Sequence, residues 1–226
     1  MDQDTLRAAA DAAFEAAFEQ DPTSIAAWPD PHADHEPDPQ EYSRCLDPAK
    51  YRVLAIRAGA WTRVLADAGL ATPEPVDLTR PDDTWRDGSP SGITPIRAHR
   101  LRPHQRGAIP LVLSFRGFDG PDDNLLTISA GEPAVPLATV PACGCDACDD
   151  GSEHLLAEVD EHVLGVVTGD FVHVSTPRLT AFGTSRGWQA SATDDDGDGL
   201  GQVDQLLQDA RAGRSPHRVV HGARWW

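Results

Sequence analysis

Three of the chain's four cysteines fall inside six residues, where Cys143, Cys145 and Cys148 of "PACGCDACDDGS" form a C-x-C-x-x-C pattern. Thiolates crowded onto one turn converge on a single ion, and soft sulfur donors select zinc or an iron–sulfur cluster over calcium or magnesium. Zinc is the metal expected at Cys143, Cys145 and Cys148. Pro141 and Gly144 put the cysteines on a loop ahead of a predicted helix, whose amides and positive dipole end would help hold the thiols deprotonated. A tetrahedral ion needs a fourth donor, and the candidates are Cys45, His154, Asp149 or a water. A protein donor closes the site into a structural one, whereas a water leaves it open to activate a nucleophile. The pattern lacks the second knuckle of a zinc ribbon, so a redox pair of Cys145 with Cys148, or unliganded thiols, stand as alternatives.

Other residues have chemistry-bearing spacings of their own. Gly183, Ser185 and Gly187 satisfy G-x-S-x-G, but a nucleophile elbow joins a strand to a helix and the following "WQASAT" is β-prone, so a hairpin turn is expected. Asp194, Asp196, Asp198 and Gly199 copy the first half of a calcium loop; Gln205 then stands where the bidentate Glu belongs, and a solvated acidic turn is expected. His154, Glu158, Glu161 and His162 share the polar face of the predicted helix, as metal ligands or acid–base groups would, or as any solvated face would. "HADHE" at 32–36 reads as solvated. Arg97, Arg100, Arg102, Arg106 and Arg116, with Arg211, Arg214, Arg218 and Arg224 near the end, would suit an acidic or anionic partner, or pair with the chain's own carboxylates. There is no P-loop, dinucleotide fingerprint, H-E-x-x-H or S-x-x-K.

A formal net charge of −17 repels nucleic acid and anionic lipid, which excludes both as expected partners. Among the 19 basic residues Lys50 is the only lysine. The N-terminal "MDQDTLRAAADAAFEAAFEQ" has no positive region followed by an apolar stretch, and the uncharged run 133–145 is too short to span a bilayer. A cytoplasmic protein is expected, and in a reducing compartment clustered cysteines are metal ligands or redox groups more often than disulfides.

The elements that would position these residues read as an α+β fold in one domain, 1–226. Leu6, Ala10, Phe14 and Phe18 make one stripe of a helix over 4–20. Residues 21–42, with five prolines, read as a solvated connector. Asp47-Pro48 starts a second helix that ends at Gly69, and 71–93 read as a loop. "ITPIRAHRLRP", "PLVLSFRGF", "NLLTISA" and "AVPLATV" predict an antiparallel meander of about four strands. A third helix over 152–168 buries Leu155, Leu156, Val159, Val163, Val166 and Val167. Three more strands, a short helix at 203–210 and a basic, Trp-ended tail at 211–226 complete the chain. The helices are expected to pack on one face of the sheet.

The stretch "EYSRCLDPAKYRVLAIRAGAW", "PACGCDACD" ahead of a helix, and the Trp- and Arg-bearing end together resemble an actinobacterial family catalogued as a domain of unknown function of the 6226 type. The resemblance spans most of the chain and implies a bacterial, cytoplasmic protein with no assigned activity. The function expected is a non-catalytic accessory or binding module with a structural zinc at the cysteine loop. A metal- or thiol-dependent enzyme, using His154, Glu158 or His162 as proton carriers, and a redox switch are the alternatives.

Overall fold

A computed structural model of the chain describes residues 1–20, 27–78, 95–117, 124–192 and 200–226. Helix α1, Gln3–Gln20, buries Leu6 and Ala10 on the stripe the sequence predicts. A 3-10 turn, Pro48–Arg52, leads into α2, Val53–Asp67, and α3 spans Gly151–Val167. Pro48 presets the first turn, and Asp47 before it makes no side-chain capping bond. Both α2 and α3 end in the same way: Gly69 and Gly169 take φ of +67° and +71°, and the next amides reach back to Leu65 and Gly165. That left-handed closure is what glycine does at low cost after a helix.

The strands divide into two antiparallel sheets. The first is a meander of β1 (Ala71–Pro75), β2 (Arg97–Pro103), β3 (Leu111–Arg116), β4 (Leu125–Gly131) and β5 (Ala134–Val140), paired in sequence order. Leu101, Leu111, Leu113, Phe115, Leu126 and Ile128 project from one face into the core that α2 and α3 complete with Leu54, Trp61, Val159 and Val163. The second sheet comprises β6 (Val172–Ser175), β7 (Leu179–Thr184), β8 (Gly187–Ala192) and β9 (Arg218–His221), in the order β8-β7-β6-β9. Helix α4, Val203–Arg211, covers its outer face through Val203, Leu207 and Ala210 against Val172, Val174 and Ala181. The α+β class and antiparallel meander are therefore as read from the sequence, whereas the single expected sheet is two.

Three expectations about connections are corrected. Residues 71–75, within the expected loop 71–93, form β1, whose Pro73 and Pro75 are tolerated because it is an edge strand. Residues 79–94 lie outside the described residues, as does the Asp194–Gly199 acidic segment. Within 21–42, residues 31–34 form a turn, and Trp28 packs partly buried against the core with its indole N–H bonded to Asp149. In the tail, residues 218–221 form β9, and Trp225 is buried with its backbone N–H bonded to Val167 O at 3.0 Å. No described helix is long and apolar enough to cross a membrane.

Candidate metal centre

Strand β5 ends at Val140 in the core, and the chain turns over Pro141 into the cysteine loop and a 3-10 turn, Asp146–Cys148. On that loop the Sγ atoms of Cys143, Cys145 and Cys148 all lie within 4.8 Å of one another, and those of Cys143 and Cys145 are 3.2 Å apart. Cys143 and Cys148 are exposed and Cys145 is half-buried, so the triad opens toward solvent on one side. All four cysteines are free thiols.

Two aspartates interleaved with the cysteines hold the loop in place. Asp146 donates its backbone N–H to Arg44 O at 2.8 Å, while its carboxylate accepts from Leu46 N at 3.0 Å and Arg44 Nε at 3.1 Å. Asp149, directly after Cys148, is 3% exposed and accepts from Trp28 Nε1 at 2.8 Å and Gly151 N at 3.0 Å. The Lys50 ammonium forms an ion pair with the same carboxylate and sits over the rings of Trp28 and Tyr51, 5.5 and 5.1 Å from their centroids. Burial alone would raise the pKa of Asp149; Lys50, Trp28 and the Gly151 amide outweigh it and leave the carboxyl below its ordinary value. The chain's one lysine thus pins the foot of the cysteine loop to the start of α2.

The thiols influence one another. Cys143 is lowered from the ordinary thiol value by the backbone amide and thiol of Cys145. Cys148 is pushed up to about 12, because the Cys145 thiol holds its proton and burial and the Cys143 sulfur add to the cost of a second negative charge. Three sulfurs at this separation repel one another when ionised, and a cation bound between them would relieve that repulsion. The predicted help from the α3 amides is not present in the expected form. The Gly151 N–H is spent on Asp149 and the Ser152 N–H on Trp28 O, at 3.0 Å each.

The surroundings of each candidate for a fourth donor differ. Asp149 has both oxygens committed to the latch. His154 is exposed on α3, 3.9 Å from the Asp150 carboxylate, and outside the triad. Cys45 packs partly buried against the core, where burial and Asp146 raise its pKa, and its sulfur is not in the group. Among the described residues the metal-competent group consists of the three sulfurs, two of which are exposed.

Other motifs resolve structurally. Ser185 lies in the two-residue turn between β7 and β8, and its N–H and Oγ both donate to Asp170, so G-x-S-x-G is a hairpin turn and no elbow. Arg100 pairs with Glu132 at 3.3 Å, Arg102 with Glu74 and Glu132 at 3.3 Å each, and Arg214 with Asp209 at 2.7 Å. Arg97 stacks 3.7 Å from the Phe115 ring centroid. His154, Glu158 and His162 border a cleft whose lining includes no cysteine.

Sequence reasoning missed the polar centre of the helical layer. Arg57, 2% exposed, makes two bonds to Asp160, from Nε at 2.7 Å and from Nη2 at 2.6 Å, and a third to Asp11 at 2.6 Å. Trp61 Nε1 donates to the same Asp160 at 2.7 Å. One acid beside Val159 on the apolar face of α3 was the available signal.

No curated protein and no solved structure shows significant similarity to the chain. Residues 14–226 match the family described as Family of unknown function (DUF6226), and the chain belongs to that family.

Proposed function

We propose that the chain is a non-catalytic binding or accessory module whose cysteine loop holds zinc through Cys143, Cys145 and Cys148. The observation that carries this reading is the convergence of three sulfurs within 4.8 Å on a loop held by Asp146 and Asp149. Soft donors at this spacing suit zinc, with bonds of ~2.3 Å each drawing the sulfurs around the ion. The two carboxylates interleaved with the triad are already paired: Asp146 with Arg44, and Asp149 with Lys50. Neither of those two carboxylates is free to act as an acid or base at the metal, which supports a structural or binding role over a hydrolytic one. Zinc joins the exit of β5 to the start of α3 and adds its binding energy to the stability of that junction.

Cobalt titration of the metal-free protein tests the reading. A tetrahedral three-sulfur site gives an intense sulfur-to-metal charge-transfer band that saturates at one equivalent, is displaced by zinc, and is lost in Cys145→Ser. A weak octahedral spectrum unaffected by that substitution would rule the site out.

A further inference from the structure

The polar face of α3 does not simply meet water. Between it and the β7–β8 hairpin lies a cleft of about 600 Å³, lined also by Gln3 and Arg7 of α1. Its apolar floor includes Phe171 and Phe182, whose ring centroids are 6.3 Å apart. Most of the polar groups at its border are satisfied within the chain. Arg186 is ion-paired with Glu161, Ser185 donates to Asp170 at 2.8 Å, Arg7 reaches Asp160 at 3.4 Å, and Thr168 donates to Leu164 O at 2.7 Å.

Two of the remaining groups sit together. Glu158 and His162, one turn apart on α3, are both half-buried, border the cleft, and make no hydrogen bond or ion pair among the described residues. Burial raises Glu158 and lowers His162, so neither environment is that of a freely solvated side chain. A carboxylate and a neutral imidazole present acceptors to the same space, while the arginines that would welcome an anion are consumed by Glu161 and Asp160. Asp170, whose partners at the border are the neutral N–H and Oγ of Ser185, adds negative potential there.

We propose that this cleft binds a small organic cation, a primary amine or amidinium on an apolar body, with Glu158 as its counter-ion and His162 as a second acceptor. The cationic head replaces lost water with the Glu158 carboxylate, and the apolar body lies on the Phe171 and Phe182 floor, where an aromatic face also favours positive charge. The site is independent of the cysteine loop.

Benzamidine is a suitable probe, with benzoate and benzyl alcohol as anionic and neutral counterparts of similar shape. Amide chemical shifts of the full chain are followed by NMR during titration at physiological ionic strength, for the wild type, Glu158→Gln and the remote control Glu15→Gln. The expected result is saturable shifts in α3 and the β7–β8 hairpin with benzamidine, weakened about tenfold or more in Glu158→Gln and unchanged in Glu15→Gln. The melting temperature of Glu158→Gln is checked so that loss of binding is read on a folded chain; if it is not folded, His162→Gln replaces it, with weakened binding again expected. Shifts spread over the acidic surface, equal binding in both glutamine variants, or equal binding of benzyl alcohol or benzoate would overturn the proposal.

Discussion

Replacing Lys50 with methionine tests whether the cysteine loop is held as described. Methionine keeps most of the aliphatic stem and removes the charge that faces Asp149, a carboxylate only 3% exposed. Breaking a buried ion pair by removing one partner costs ~3–5 kcal/mol. Asp149 keeps the bonds from Trp28 and Gly151, which places the loss near the lower end, about 3 kcal/mol. For a chain of this size that is a drop of ~6–12 °C in melting temperature, measured by calorimetry on metal-free protein. The double variant Lys50→Met with Asp149→Asn removes the stranded charge and should recover part of the loss. The pH dependence has a definite sign. The folded-state pKa of Asp149 is lowered, so its contribution is complete above the unfolded value of ~3.9 and lost as pH falls below it. A Lys50→Met chain that melts within about 1 °C of the wild type would refute the latch.

Asp160→Asn should be as damaging, because it strands the buried Arg57 guanidinium with Asp11 as its remaining carboxylate partner; a loss of ~3–5 kcal/mol in denaturant unfolding is expected. His173, 4% exposed with Nδ1 unpaired, is held down to about 4 by burial and by the charge of Arg218. The unfolded chain takes up this proton near pH ~6.5 and the folded chain does not, so stability is full above that pH and falls by up to ~3 kcal/mol toward pH 4. His173→Leu should flatten that part of the stability profile, and an unchanged slope would contradict the assignment.

What could be read in the sequence was what depends on neighbours a few residues apart. The four-residue stripe of Leu6, Ala10, Phe14 and Phe18 located α1, and Gly69 and Gly169 marked true helix ends. The cysteine triad was legible because its three members share one turn. Strand β1, "ATPEP", was hidden by prolines that an edge strand accepts, and β9, "RVVH", is too short to stand out from a basic tail. Its pairing with β6 joins residues nearly fifty positions apart, from Val172 to His221, and no periodicity specifies such a partner. The same applies to the latch, since Trp28, Lys50 and Asp149 meet only once α2, α3 and the connector have packed. Lys50 was conspicuous as the only lysine, yet a count does not tell which carboxylate it meets.

Elemental analysis combined with thiol counting, on protein purified without chelator, tests the central claim most directly. The account predicts about one zinc per chain, with Cys143, Cys145 and Cys148 protected from alkylation until the metal is removed, and loss of both properties in Cys145→Ser. Protein that carries no zinc, and whose Cys143, Cys145 and Cys148 all react while the chain is still folded, would contradict it.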